Sequence, residues 1–244
     1  DHRTLLQSQG LKVRGSENMK PHQEAFLRFI VGRGALRFGS FKTKSGRLSP
    51  YFFNAGGLHL GSDLVALATQ YADAIAAEFS GRKAFDILYG PAYKGIGLAV
   101  STAMMLHQRH SIDVDVCFNR KEAKEHGEKG QLIGRQPRPG DRILIIDDVV
   151  TAGTSVRESL EILSGIPNLE FTGLVVALDR QEKGQDTELS AVQQIERDQH
   201  LKVFPIATFA DLLAWTRENR PESSDPDLLT KMEAYRRQYG VCGV

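Results

Sequence analysis

The chain has 244 residues, of which 41% are hydrophobic and 25% charged, and its formal net charge at pH 7 is +1. These values are ordinary for a soluble globular protein with one sizeable hydrophobic core. A charge so close to zero gives no reason to expect nucleic acid as a partner. No apolar run reaches the roughly 18 residues that a membrane-spanning helix needs, so no membrane partner is expected either.

The two ends of the chain are expected to lie outside the fold. Residues 1–18 are polar and lack hydrophobic periodicity, so we interpret them as a leader or a vector-derived tail without ordered structure. Residues 242–244 are interpreted as a second tail, which leaves residues 19–241 as a single domain. The two cysteines are far apart in sequence and form no metal-binding pattern, so a reduced, cytoplasmic setting is expected.

The first predicted elements form a small N-terminal hood at about residues 19–60. Apolar residues within 23–32 recur at helical spacing, which predicts an amphipathic helix. Residues 36–44 then alternate between apolar and polar side chains, and a Ser-Gly turn separates them from the aromatic run at 51–53. This pattern predicts a β-hairpin.

Strands and helices alternate through the rest of the chain. A helix capped by Ser62 or Asp63 is predicted next, and a nearly all-apolar helix is predicted at residues 95–106. Further helices are predicted after residue 189. This order is typical of a mostly parallel, twisted α/β sheet flanked by helices. The strands of that sheet are predicted at residues 85–89, 114–118, 142–147 and 172–178.

The most informative segment follows the third of these strands. The apolar run at 143–146 is typical of a buried parallel strand, and Asp147 and Asp148 come where it should end. A turn at residues 151–155 opens a helix, with Ser155 and Glu158 at capping-box spacing. Backbone N–H groups at such a helix start can surround a phosphate, and the carboxylates can accept hydrogen bonds from ribose hydroxyls. The segment predicts a site for a phosphorylated sugar, and it lacks the lysine of a nucleotide P-loop.

Polar residues follow the other predicted strands as well, at the edge where α/β enzymes bind ligands. Lys94 stands at an expected helix N-terminus, a position that favours anions. Residues 120–130 are rich in charge and glycine, which predicts an exposed mobile loop, either a solvated surface loop or a cationic lid. Arg180 follows the last strand, where an arginine can bind a carboxylate through two hydrogen bonds.

Together these segments resemble the orotate phosphoribosyltransferases, a family with the type I phosphoribosyltransferase fold. The resemblance covers roughly residues 19–241. It implies the Mg²⁺-dependent transfer of the 5-phosphoribosyl group from phosphoribosyl pyrophosphate (PRPP) to orotate, in the biosynthesis of pyrimidines. Its matching segments are FKTKSGRLSPYFFNAG (41–56), GPAYKG (90–95), NRKEAKEHGE (119–128), IDDVVTAGTS (146–155) and LDRQE (178–182).

The resemblance also implies roles for individual residues. PRPP would be bound by Lys44, Tyr93, Lys94, Asp147, Asp148, Val149, Val150, Thr151, Ala152, Gly153, Thr154 and Ser155. The catalytic residues would be Arg120, Lys121, Lys124 and His126 on the lid. Three of them, Arg120, Lys124 and His126, would serve the site of the opposite subunit in a homodimer. Orotate would contact Phe52, Phe53, Thr151 and Arg180, while Mg²⁺ would be held mainly by PRPP and water, without a direct protein ligand.

Two other functions stay open at this point. A PRPP-dependent transferase for a purine or for uracil would share the PRPP segment, but it would not need Arg180 or this lid. A non-catalytic PRPP-sensing regulator, such as a transcription factor built on the same fold, would need a nucleic-acid-binding module or a basic face. The near-zero net charge does not indicate such a face.

Overall fold

The computed structural model describes residues 19–43, 45–124, 130–150, 153–219, 221 and 225–241. At residues 122–124 and 130 it describes the backbone alone. The predicted leader at 1–18 and the predicted tail at 242–244 lie outside these ranges. No helix within them is both long and apolar enough to cross a membrane.

The described residues form a small antiparallel hairpin and a larger, mostly parallel sheet. The strands are β1 (Leu36–Lys42), β2 (Leu48–Phe53), β3 (Ile87–Gly90), β4 (Asp115–Lys124), β5 (Gly130–Gly134), β6 (Arg142–Asp147), β7 (Glu170–Asp179) and β8 (Val203–Thr208). The helices are α1 (Pro21–Gly32), α2 (Gly61–Glu78), α3 (Lys94–His110), α4 (Thr154–Leu163), α5 (Ala191–Gln199), α6 (Phe209–Asn219) and α7 (Leu228–Tyr239). Strands β1 and β2 pair with each other, and the large sheet has the order β5-β4-β3-β6-β7-β8. Only β5 is antiparallel to its neighbour in the described part of this sheet.

The mostly parallel sheet confirms the predicted fold class, but two of its strands were not predicted. Strand β8 contains Pro205, which weakens the strand pattern; an edge strand bonds on one side only and therefore tolerates proline. Strand β5 lies at the other edge. Because β4 runs to Lys124, which pairs with Gly130, the prediction of a loop throughout residues 120–130 was wrong. Cross-strand pairing satisfies backbone groups that a loop would leave to water, and residues 125–129 lie outside the described ranges.

The predicted start of α2 was also wrong. The helix begins at Gly61, before the two predicted capping residues, and no side chain caps it. Asp63 instead lies buried in the first turn, where its Oδ1 atom is 2.9 Å from Nε of Arg33. An acid in the first turn is still favoured by the helix dipole, so the charge pattern was informative although the boundary was not.

Burial on both faces explains why β6 is so apolar. Its residues 143–146 are fully buried, and alternate side chains enter two different hydrophobic clusters. One cluster includes Val156 and Leu163 of α4. The other extends to the hairpin, where the ring of Tyr51 stacks on Phe209 with centroids 5.1 Å apart. Burying one such aliphatic side chain contributes about 1.5–3 kcal/mol, so the end of β6 is a rigid support for the residues that follow.

Tyr71 on α2 holds the end of β6. Its hydroxyl donates a 2.8 Å hydrogen bond to the backbone carbonyl of Asp147, and the side chain is fully buried. Tyr71→Phe should lower the free energy of unfolding by about 1–2 kcal/mol in urea titrations, because the carbonyl loses its donor. Tyr51→Phe is the control, since the buried Tyr51 hydroxyl has no hydrogen-bond partner among the described residues. Equal losses in both variants would contradict this role.

Candidate active site

Two adjacent acids lie at the carboxyl end of β6, where the parallel strands of the sheet place ligand sites. Asp147 and Asp148 are each only 7% exposed. The Asp147 carboxylate accepts hydrogen bonds from the amide of Asp148 (2.9 Å) and from Oγ of Ser155 (2.8 Å). The Asp148 carboxylate accepts from the amide of Val149 (2.8 Å) and from Nζ of Lys94 (2.6 Å). Both carboxylates are therefore fixed in position before any ligand binds.

The acid pair carries an electrostatic cost. Burial raises the pKa of Asp147, and the neighbouring charge of Asp148 also raises it, while the hydrogen bonds from Ser155 and from the Asp148 amide lower it. Desolvation is the largest of these effects. A ligand hydroxyl that donated to this carboxylate would favour its charged form, so the site is chemically suited to a polyol such as ribose.

The turn after the acids leads into the N-terminus of α4. Gly153 precedes the helix with φ 68°, in the left-handed region, and no side chain caps the helix. The predicted capping box of Ser155 and Glu158 was wrong, because the Ser155 hydroxyl donates to Asp147 instead. Val149 and Val150 are half-buried. Thr151 and Ala152 lie outside the described residues.

The turn between β3 and α3 brings a second predicted cluster to the acid pair. Gly90 and Gly95 pack so closely that a Cβ on Gly90 would lie 2.0 Å from the carbonyl oxygen of Gly95. Lys94 opens α3 and reaches Asp148, while Tyr93 is 72% exposed beside it. Lys44, predicted to act with these two, lies outside the described residues.

A cavity of about 360 Å³ lies next to this turn, and part of its wall is cationic. Nζ of Lys121 is 5.9 Å from the centroid of the Tyr93 ring. Arg120 and Lys121, two of the four predicted lid residues, therefore lie beside the β3–α3 turn of the same chain. The side chain of Lys124, and His126 as a whole, lie outside the described residues. The cavity is lined by Tyr93, Ile96, Phe118, Asn119, Arg120, Lys121 and Ile133.

The two phenylalanines predicted to contact orotate do not share a surface. Adjacent residues of a strand point to opposite faces. Phe52 is 39% exposed, and its ring centroid lies 5.5 Å from that of Phe41. Phe53 is half-buried and makes an edge contact with Phe26 at 6.4 Å. The two side chains therefore point to opposite faces of β2, and the contact of both with orotate stays a prediction.

Arg180 lies on the same face of β2 as Phe53. Its Nε atom donates to Glu182 (2.9 Å) and its Nη2 atom to Oγ of Ser49 (3.1 Å). The guanidinium carbon is 4.6 Å from the centroid of the Tyr51 ring. Sequence reasoning missed these three partners, of which Ser49 and Tyr51 share one face of β2 with Phe53 because alternate residues of a strand point the same way. It also missed Asn119, whose Oδ1 accepts a 2.9 Å hydrogen bond from the Ala92 amide.

A buried acid pair before a helix N-terminus, at the carboxyl end of a central parallel strand, fits the class of type I phosphoribosyltransferases. The family model described as phosphoribosyl transferase domain matches residues 63–208. The chain is 52% identical to orotate phosphoribosyltransferase of Thioalkalivibrio sulfidiphilus and 47% identical to that of Escherichia coli O157:H7. Both alignments span 223 residues, which is 91% of this chain and 100% of each relative. The chain belongs to the orotate phosphoribosyltransferase family.

Solved structures agree with this assignment. The crystal structure of orotate phosphoribosyltransferase from Francisella tularensis matches with a TM-score of 0.76 and 37% identity, over 88% of this chain and 98% of that one. The Mycobacterium tuberculosis enzyme in complex with PRPP shares the fold, with a TM-score of 0.56 and 17% identity over 79% of this chain and 99% of that one. The chain is thus an enzyme of a phosphoribosyl-transferring family, and nothing favours the regulator that the residues alone left open.

Proposed function

We propose that the chain catalyses the Mg²⁺-dependent transfer of the 5-phosphoribosyl group from PRPP to orotate. The products are orotidine 5′-monophosphate and pyrophosphate, and the reaction belongs to de novo pyrimidine (UMP) biosynthesis. Membership of the family supports this reaction. The single observation that carries it is the buried acid pair, joined to Lys94 on one side and to the start of α4 on the other.

In the proposed complex the acid pair binds the ribose of PRPP. Asp147 and Asp148 accept hydrogen bonds from the 2′- and 3′-hydroxyls, and the turn at residues 151–155 surrounds the 5′-phosphate with backbone N–H groups. Two features support this arrangement. Both carboxylates are fixed by hydrogen bonds within the protein, and α4 begins without a side-chain cap, at the positive end of its dipole.

The leaving pyrophosphate takes up negative charge as the bond from ribose C1 breaks. Stabilising that charge in a site closed to water is usually the largest contribution of an enzyme to such a reaction. Lys94 and Lys121 lie around the β3–α3 turn, where they can supply positive charge. The roles of Lys44, Lys124 and His126 rest on the family resemblance, and His126 either protonates pyrophosphate or only adds charge.

The donor set at the acid pair fits Mg²⁺ carried by the substrate. Mg²⁺ prefers oxygen ligands and keeps several waters, so PRPP oxygens and water can supply its coordination, with the carboxylates of Asp147 and Asp148 facing the ribose. When bound, the ion neutralises charge on the pyrophosphate group.

Two further parts of the proposal concern assembly and location. We propose a homodimer in which Arg120, Lys124 and His126 serve the site of the other subunit. We also propose a cytoplasmic location, because the two cysteines are far apart in sequence and give no disulfide framework. Cys117 is a free, buried thiol. Burial raises the pKa of Cys117 to about 12, which disfavours the reactive thiolate and fits a packing role.

Arg180→Gln should raise the KM for orotate about tenfold and leave the KM for PRPP within about twofold, because the guanidinium would bind the orotate carboxylate. Initial rates with each substrate varied in turn measure both constants. Arg217→Gln is a matched control, because it breaks another arginine–glutamate pair, with Glu233 at 2.7 Å, between α6 and α7. Equal changes in the two constants for Arg180→Gln would contradict an acceptor-side role.

The reaction itself is tested by following the ultraviolet absorbance of orotate with PRPP and Mg²⁺, with hypoxanthine and uracil as parallel acceptors. Turnover that is specific for orotate and lost on chelation of Mg²⁺ is the expected result. Turnover with another base alone would keep the PRPP site but contradict the roles of Arg180 and Phe53. Tight PRPP binding without turnover would favour a PRPP-sensing protein instead.

A further inference from the structure

Asn119 occupies a junction between two parts of the candidate site. Strands β3 and β4 pair as far as Gly90 and Phe118, so Asn119 is the first residue beyond that pairing. On its other side it pairs with Leu132 of β5, which fixes its backbone. Its side chain is buried, at 8% exposed.

The side chain of Asn119 bridges β4 to the turn between β3 and α3. Its Oδ1 atom accepts a 2.9 Å hydrogen bond from the Ala92 amide, and its Nδ2 atom donates to the carbonyl of Arg120 at 3.3 Å. The Ala92 amide lies after the last residue of β3 and before the first of α3. Neither the pairing of the strands nor the helix provides this amide with a hydrogen-bond acceptor, so Oδ1 of Asn119 is its acceptor.

The bridge acts on the two residues that follow Ala92 in the chain. Tyr93 lines the cationic cavity, and Lys94 donates to Asp148 at 2.6 Å. The turn is also pinned by the close packing of Gly90 against Gly95. Ala92 is thus held by Asn119, and Gly95 is held by its packing against Gly90. A displacement of Ala92 would therefore shift mainly Tyr93 and Lys94, which lie between these two residues.

We infer that Asn119 is a positioning residue, which holds the β3–α3 turn so that Tyr93 and Lys94 face the pyrophosphate of the substrate. This inference rests on the proposed function and deepens it. Asn119 contacts the turn through a backbone amide, and its effect on the reaction is transmitted through Tyr93 and Lys94. A displacement of about 1 Å in such a support can cost roughly 100-fold in rate.

Two substitutions separate the hydrogen bond from the packing of the side chain. Asn119→Leu keeps a similar volume but removes the acceptor, whereas Asn119→Asp keeps an acceptor oxygen at the same position. Hydrogen exchange at the Ala92 amide, followed by NMR, should become at least about tenfold faster in Asn119→Leu and return towards the wild-type rate in Asn119→Asp. Gln136→Leu is the control, because it removes another side-chain bond to backbone carbonyls, those of Leu132 and Gly134.

Binding and rates then connect the bridge to the site. In Asn119→Leu, calorimetry with inorganic pyrophosphate and Mg²⁺ should show affinity lowered about tenfold, and kcat should fall about 10- to 100-fold while the KM for orotate stays within about twofold. Exchange at Ala92 and pyrophosphate affinity both within about twofold of wild type would overturn the inference. So would an Asn119→Asp variant whose Ala92 amide exchanges as fast as in Asn119→Leu. A wild-type chain without orotate turnover would refute the proposed function, while exchange and pyrophosphate binding would still decide the role of Asn119.

Discussion

Asp147→Asn is expected to lower kcat/KM for PRPP about 100-fold and, at neutral pH, to make the protein more stable to heat. The loss of activity follows from the loss of a charged acceptor for a ribose hydroxyl. The gain in stability follows from burial, which raises the pKa of Asp147 and makes its negative charge costly in the folded state. Asparagine keeps an acceptor for the Asp148 amide and removes that charge. A functional residue of this kind reduces stability for the sake of the reaction.

The pH dependence of this effect has a definite sign. The folded-state pKa of Asp147 lies above its unfolded value, so the folded protein holds the proton more tightly and stability falls as pH rises through the interval between the two values. Above that interval the charge is present and the asparagine variant is more stable. Thermal melts should therefore show an advantage for Asp147→Asn that is largest at neutral pH and shrinks in acid.

Asp86→Asn provides a control of opposite sign. Hydrogen bonds from the Arg142 side chain lower the pKa of Asp86, and the two groups lie 3.0 Å apart at the start of β6. Its charge therefore contributes stability above the unfolded pKa, and that contribution is lost as pH falls through the folded value. Asp86→Asn should be less stable than wild type at neutral pH. If both variants shifted the melting temperature in the same direction, the explanation from burial of Asp147 would fail.

Lys124→Ala is expected to lower kcat about 100- to 1,000-fold while changing the dissociation constant of PRPP only a few fold. Lys124 ends β4, four residues after Arg120, on the strand that leads from the cationic cavity to the pairing with Gly130. A cation that meets the substrate mainly as pyrophosphate departs stabilises the transition state more than the ground state. Single-turnover rates and equilibrium PRPP binding measure the two quantities separately.

Lys231→Ala is the matched control for Lys124→Ala, because it removes an exposed lysine of α7 that forms an ion pair at 2.5 Å with Asp225, which precedes the helix. Equal losses in kcat and in PRPP binding for Lys124→Ala would count against a role in the transition state.

Mixing the Lys124→Ala and Asp147→Asn proteins tests the dimer. If each site combines a lysine from one subunit with an acid pair from the other, random exchange of subunits should restore about a quarter of the wild-type rate. Failure of mixing to restore activity, although subunits exchange, would place both residues in the site of one chain.

The central part of the site could be predicted because its signal is local. The run from Ile143 to Asp148 combines a buried strand with acids at its end, and β6 has the predicted bounds of 142–147. Lys94 follows another strand of the parallel sheet, β3, so it was predicted to lie at the same edge as the acids. Both inferences need only the period of the hydrophobic residues and the geometry of parallel strands.

The supports of the site could not be predicted, because they come from contacts between distant parts of the chain. Asn119 and Ala92 are 27 residues apart, and Tyr71 and Asp147 are 76 apart. The prediction for Ser155 was wrong because its hydroxyl could either cap α4 or donate to Asp147. The capping-box pattern considers only the cap, whereas the hydrogen bond to the buried carboxylate is the more favourable of the two.

The uncapped start of α4 has a consequence for the protein as a whole. Helix α5 completes its first turn with a residue of its own chain, Ser190. At α4 the residue in that place is Gly153, which has no side chain to offer. In the proposed complex, a phosphate group of the substrate accepts the hydrogen bonds from the first turn of α4 that a capping side chain accepts in other helices. Occupancy of the site and integrity of the fold are then linked: as PRPP is consumed and released, the same helix is alternately completed and left incomplete, and the enzyme's resistance to unfolding rises and falls with its supply of substrate.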